Sequence, residues 1–349
     1  MRVPGCHDPE REGGRAPLSR DVSRGAVMPV CRLPEVAILG LIMALWGGAT
    51  PSLAGEPEAG IQALVESLDD ESFAVRDAAD RKLLEIGKPA LAALRKAGRS
   101  DSPEKRVRAI KLVRRIREGV IRAEFEKMGE MNDEDLEVEH ALWAVSLFLD
   151  PELEKKEVTT TLDEMADAVR EKLGKDKVPG SLPPAESMAG LISVLKEQYA
   201  LAGDTTTYQD PDNSSVHRVI ARRKGLPILL SEIAVAVARR LELPVVGLGI
   251  PGRYMIKYEG RRAPAGHPRE DIIINPFEGW QEIGVRDLVF SVPGFDADEH
   301  LQQSPARLTI LRIMRNMENH AGVKEKQELV SIIRECYQLV AGGRFPLFR

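Results

Sequence analysis

The stretch YQDPDNSSVHRVIARRKGLPILLSEIAVAVARRLELPVVGLGIPGRYMIKY, residues 208–258, decides how this chain is read. Asp210, Pro211, Asp212 and Asn213 are turn formers, and Ser214 is placed to cap a helix whose apolar positions include Val216, Val219 and Ile220. Gly225 and Pro227 break that helix and start another, because proline fits the first helical turn, where no backbone donor is needed. Residues 228–241 are apolar on nearly every side, the mark of a buried helix. After Pro244, residues 245–250 read as a strand, Pro251 and Gly252 as a tight connection, and residues 254–258 as a second strand.

Downstream, residues 259–270 are polar and broken by proline, so they form a hairpin loop in which His267 is a solvated residue. Residues 271–276 return as a strand through Ile272, Ile273 and Ile274, and residues 307–320 and 323–341 are amphipathic helices. Upstream, residues 186–199 and 163–173 have helical periodicity on either side of a loop at 174–184, and residues 141–149 are strongly apolar.

The segments NS-x-x-x-RV, RRKGLPILLSEI, ARRLELPVVGLGIPG and INPF resemble the transglutaminase-like domain of SirB-type proteins. Asn213, Ser214, Gly225, Pro227, Pro251, Gly252, Pro276 and Phe277 belong to these motifs. The resemblance extends upstream through FLDPELEKKEVTTTLDEMADAVREKL and downstream to LRIMRNMENHAG, over roughly residues 132–340. It implies an α+β fold: a papain-like core over 131–305, with a helix on an antiparallel sheet, and a C-terminal helical hairpin over 306–349.

In the wider superfamily a Cys at the start of the central helix attacks a carbonyl, a His takes its proton and an Asp orients the His. Residues 225–230 offer no Cys. Arg253 stands where the family has His, and Asn275 where it has Asp. Arginine stays protonated and cannot serve as a base, and asparagine has no charge to steady an imidazolium. The expectation is a degenerate site with no catalytic residue, metal or cofactor. Arg253 would instead bond the Asn275 side chain and, with Arg222 and Arg223, hold an anion near the helix start at Pro227. The contrasting reading is a hydrolase or transferase of peptide-like bonds working through an unrecognised site, for which Ser214 and His217, three apart, are the candidates.

Residues 58–118 repeat at an offset of 30: Ser72, Arg76, Ala79, Leu83 and Ile86 recur as Ser102, Arg106, Ala109, Val113 and Ile116. Each unit reads as helix, acidic turn, helix, which resembles short HEAT-like repeats and assigns residues 55–130 to them; a plain four-helix bundle is the alternative. Two such units bury too little alone, so residues 119–149 are expected to support them, after a hinge at 128–135.

Residues 1–27 carry scattered Arg, Gly and Pro without apolar periodicity and read as disordered, possibly untranslated. Met28 opens the layout of a signal peptide over 28–54, with Arg32, an apolar run over 36–49 and Ser52-Leu53-Ala54 as cleavage site. A membrane anchor is the alternative. Cleavage leaves Cys336 as the sole cysteine of the mature chain, expected to be a buried apolar group. A formal charge of −5 gives no reason to expect nucleic acid. The expected partner is a protein, met outside the cytoplasm in the periplasm or cell envelope.

Overall fold

The computed structural model describes residues 56–342. The disordered segment and signal peptide expected over 1–54 lie outside the described residues. No helix among the described residues is long and apolar enough to cross a membrane.

The chain opens with α1 (Glu56–Glu66), α2 (Phe73–Ile86), α3 (Leu91–Ala97) and α4 (Pro103–Glu130). The two helix pairs share one turn chemistry. Arg76 Nη1 donates to the Asp70 carbonyl at 2.6 Å, and Arg106 Nη1 donates to the Ser100 carbonyl at 2.8 Å. The repeating arginines therefore close each turn through its backbone, and Arg76 Nε also lies 3.4 Å from Glu104 of the second turn. Ala79 and Ala109 are both buried, leaving room for close helix contact. Ser102 Oγ accepts from Lys105 N at 3.3 Å and Pro103 takes the first helical position, so α4 has a strong start.

α4 runs 28 residues without a break, so the hinge expected from residue 128 begins only after Glu130. Its first half, through Ile116, packs into the core of the helical repeats, and its second half, through Ile121, Phe125 and Met128, into the main core. Residues 141–149, expected to support the repeats, pack into the main core with the second half of α4. α5 (Val138–Ser146) is followed by Phe148, which stacks on Phe125 at 5.1 Å, while α13 (Gln327–Ala341) lies along α4. At Gly129 any Cβ would collide with the Leu339 carbonyl, and Arg122 makes a two-pronged bond to Glu335 at 2.7 Å.

α6 (Lys155–Leu173) starts earlier than its apolar stripe, because Glu157 Oε1 accepts from the Glu154 N–H at 2.9 Å and fixes the first turn. α7 (Pro184–Ser193) ends in a π turn. Two short strands, β1 (Ala202–Gly203) and β2 (Lys224–Gly225), pair in parallel around α8 (Val216–Arg222). α9 (Pro227–Arg240) is the central helix and is buried from Ile228 through Ala234.

α9 packs on an antiparallel sheet in the order β3 (Val245–Leu248), β4 (Met255–Tyr258), β5 (Ile272–Asn275), β6 (Gln281–Glu282). In register, Gly247 faces Ile256, and Ile256 faces Ile274. Strand alternation sends Tyr254, Ile256, Tyr258 and Ile274 into the main core with α9. It sends Val246, Leu248, Met255 and Ile273 to a second cluster under α10 (Val285–Ser291). α11 (Ala297–His300) and α12 (Ala306–Val323) follow, and α12 pairs with α13 as the expected C-terminal hairpin.

Candidate functional site

The start of α9 is where a nucleophile would stand. Leu226, Ile228, Leu229 and Leu230 are all buried there. The first hydroxyl along the helix, Ser231, is buried and donates to the Tyr254 carbonyl at 3.4 Å. Cys336, in α13, is fully buried, and that burial pushes its thiol up to about 12, which leaves it inert at neutral pH.

Pro251 and Gly252 make the β3–β4 connection: Arg253 N donates to Ile250 O at 3.0 Å, and Gly252 has φ +69, the pattern of a turn that needs glycine at its third position. Arg312, on α12, clamps this turn, with Nη2 donating to the Arg253 carbonyl at 2.8 Å and its guanidinium 5.4 Å from the Tyr254 ring centre. The Arg253 side chain is half-buried and has no hydrogen-bond or ionic partner among the described residues.

Asn275 does not bond Arg253. Its Oδ1 accepts from Phe277 N at 3.2 Å and Glu278 N at 3.3 Å, so the side chain closes the turn that carries Pro276 and Phe277. By alternation from Ile274, Asn275 also lies on the sheet face turned away from α9. The expected Arg253–Asn275 pair aimed at the helix start is therefore not formed.

The basic run is largely consumed by local acids. Arg222 Nη2 lies 3.3 Å from Asp204, and Nη1 lies 3.5 Å from Asp212. Arg218 reaches Asp150 at 2.8 Å and Asp212 at 2.7 Å. Burial works against the Asp204 charge, but hydrogen bonds from Thr207 and Thr206 hold its carboxyl well below the usual range, so it remains an anion for Arg222. Arg222 is not an open anion ligand. Arg223 is exposed, and its left-handed backbone (φ +60) ends α8.

Ser214 and His217 are not assembled as a pair either. Ser214 lies in a 3₁₀ turn, Pro211–Ser214, and is fully buried, whereas His217 is exposed on α8. Ser214 does not cap α8: Ser215 takes that position, and the Val216 N–H is satisfied by Ser146 Oγ at 3.0 Å. Asn213 ties the loop down by donating to the Thr207 carbonyl at 2.7 Å. No group of three or more His, Cys, Asp or Glu among the described residues is placed to hold a metal ion.

Two concavities escaped the sequence reading. The larger, about 620 Å³, runs between α3, α4 and the start of α13. Ile110, Val113, Ile121, Phe148, Leu329 and Ile332 provide its apolar lining. Arg95, Arg99, Arg114 and Arg117 rim it, against the two acids Glu118 and Glu328. Ile110 is 56% exposed there. The second, about 420 Å³, lies between the second half of α9, β3, the start of α5 and the turn before α12, with Glu232 in its lining.

Residues 156–315 match the family model described as transglutaminase-like superfamily. The chain is similar to a UPF0162 protein of Xylella fastidiosa, 30% identical over 141 residues, which is 37% of this chain and 47% of that protein. A UPF0162 protein of Pseudomonas aeruginosa is 26% identical over 207 residues, 56% of this chain and 71% of that protein. F-box only protein 21 of Homo sapiens is 24% identical over 100 residues, 28% of this chain and 16% of that protein. The chain thus spans about half the length of the first of these relatives. No solved structure matches it. The segment that matches the transglutaminase-like superfamily model, residues 156–315, contains the buried helix α9 and the antiparallel sheet it packs on.

Proposed function

We propose that the protein is an exported, catalytically degenerate transglutaminase-like protein that works as an interaction module, and that the groove between α3, α4 and α13 takes an acidic amphipathic segment of a partner protein. The observation that carries the non-catalytic part is the chemistry of the three positions. A leucine, a proline and an isoleucine open α9, Arg253 stands in place of a base, and Asn275 spends its side-chain oxygen on its own turn. The HEAT-like helices then become the working surface. An exposed Ile110 on an apolar floor is costly in water and marks a contact surface, and Arg99, the rim arginine without an acid partner among the described residues, gives that surface a cationic edge for an acidic partner. Arg95 and Arg117 share Glu152, and Arg114 lies 2.8 Å from Glu328, so the rim is already ordered before a partner arrives.

Anion recognition thus moves away from Arg253, Arg222 and Arg223 to the helical region. A labelled acidic amphipathic peptide should bind the intact protein with an affinity that falls as salt rises, and Ile110→Asp or Arg99→Glu should each weaken it about ten-fold. In the same preparations the unmodified protein and an Arg253→His, Asn275→Asp variant should both lack amidase and acyl-transfer activity, because neither has a nucleophile. Turnover by the unmodified protein would establish the hydrolase or transferase reading instead, and equal binding by Ile110→Asp would remove the groove from it.

Export belongs to the same reading and rests on the apolar run over 36–49 before Ser52-Leu53-Ala54. N-terminal sequencing of protein recovered from its own cells should begin at Gly55; a chain retaining residues 28–54 would replace export by anchoring.

A further inference from the structure

Glu232 is the one acid in the apolar run of α9, and it is only 5% exposed. One carboxyl oxygen, Oε1, accepts from the Tyr254 hydroxyl at 2.7 Å. Tyr254 Oη lies 3.0 Å from Thr309 Oγ1, which lies 2.9 Å from Ser304 Oγ, so a file of hydroxyls from the residue before β4, from α12 and from the turn before it holds the carboxyl in place. Gly247, opposite on β3, makes the arrangement possible: any side chain there would strike both Glu232 Oε1 and the Tyr254 hydroxyl.

The second oxygen of Glu232 has no partner among the described residues and is not sealed from solvent. Glu232 is part of the lining of the 420 Å³ cleft. The walls of that cleft are apolar at Leu136, Val138, Val235, Ala236, Leu243 and Val245. The charged groups facing it are Glu137 and Glu139 from the start of α5, Arg239 and Glu242 at the end of α9, and Arg262 from the loop after β4. Both arginines are engaged: Arg239 donates to Glu139 at 2.8 Å, and Arg262 lies 3.2 Å from Glu259. Neither closes on Glu232.

The geometry points to this cleft as a binding site for an alkylammonium group, with Glu232 Oε2 taking the charged head and the apolar walls taking the stem. A carboxylate oxygen without a partner, in a cleft whose lining mixes apolar side chains with more acids than bases, meets the needs of a compact cation with a short apolar stem and disfavours a carboxylate or phosphate. The site lies along the second half of α9, apart from the degenerate positions at the helix start, and requires no group transfer. Burial pushes Glu232 up to about 7, against the Tyr254 hydrogen bond and the Arg239 charge, so cation binding must be accompanied by proton release in neutral solution. Glu137 and Glu242 are further acids in the lining, while Glu139 is held by Arg239 and Arg240.

Titration calorimetry of the intact protein with n-butylammonium tests the assignment. The expected result is saturable binding that strengthens as pH rises through about 7 and releases protons to the buffer. Glu232→Gln, which keeps the shape and the Tyr254 bond, should weaken binding at least about ten-fold, and Val235→Trp, which fills the cleft mouth and leaves the carboxyl, should do the same. Butanol and butyrate, which match the stem without the cation, should not compete. Equal binding of butanol, or unchanged binding by Glu232→Gln with its fold intact, would overturn the site. A lysine-containing peptide binding more tightly than n-butylammonium assigns the natural ligand to a protein side chain, and the reverse order assigns it to a free amine.

Discussion

Replacing Arg307 by alanine should lower the unfolding free energy by about 2–6 kcal/mol, the cost of leaving two helix-end carbonyls without a partner. Arg307 sits in the first turn of α12 and is 3% exposed. Its Nη1 donates to the Val340 carbonyl at 2.6 Å, its Nη2 to the Met131 carbonyl at 2.6 Å, and its Nε to Asp133 at 2.5 Å. Met131 and Val340 stand at the C-terminal ends of α4 and α13, where carbonyls have no partner inside their own helix. One guanidinium therefore satisfies two helix ends and sits at the negative pole of both dipoles. Removing it leaves those carbonyls dry and unpaired, at about 1–3 kcal/mol each, and opens a gap between three helices. Arg307→Lys should recover less than half the loss, since a single ammonium cannot span divergent acceptors. Urea unfolding reads the result as a shift of midpoint with unchanged slope. A loss below about 1 kcal/mol for the alanine variant would mean that water replaces the guanidinium at both helix ends.

Arg307 also shows which part of the architecture was readable in the chain. The hairpin of α12 and α13 was visible from apolar spacing, and α9 from Gly225, Pro227 and a buried-helix composition, because those signals are local. Arg76 and Arg106, which stand 30 residues apart, each donate to a carbonyl of the turn before their helix. That α13, over 200 residues away, would lie along α4 was not visible: Arg114 and Arg122 look like solvated helix charges until Glu328 and Glu335 are placed beside them. The bonds that Asn275 accepts from Phe277 and Glu278 are a property of loop geometry that residue type alone does not carry. Ser214 was misplaced because three polar residues in a row, Asn213, Ser214 and Ser215, all suit a cap, and the 3₁₀ turn moved the helix start by one. Glu232 was overlooked for another reason. One acid in fourteen residues hardly alters the apolar character of α9, yet its partner Tyr254 comes 22 residues later, and Thr309 lies 55 residues beyond Tyr254.

That isolated acid makes stability depend on pH between its ordinary value and neutrality. Burial raises Glu232 from its ordinary value of 4.5 to about 7 in the folded chain, with the Tyr254 bond and Arg239 opposing. Between those two values the folded state holds a proton that the unfolded state has released, so stability must fall as pH rises. The contribution is whole below about 4.5, declines by about 1.4 kcal/mol per pH unit, and levels off above about 7, a total of about 3 kcal/mol. His140 and His320 work in the opposite sense, because burial lowers both and their contribution is lost as pH falls below the ordinary histidine value of 6.5. Comparing the protein with Glu232→Gln cancels the histidines, since both chains contain them. The difference in unfolding free energy should move by about 3 kcal/mol in favour of Glu232→Gln between about pH 4.5 and about pH 8. A difference that stays flat across that range would show that water in the cleft already solvates the carboxylate. A slope that disappears when n-butylammonium is added would tie the two results together: the ionised acid is costly only while its second oxygen lacks a cation.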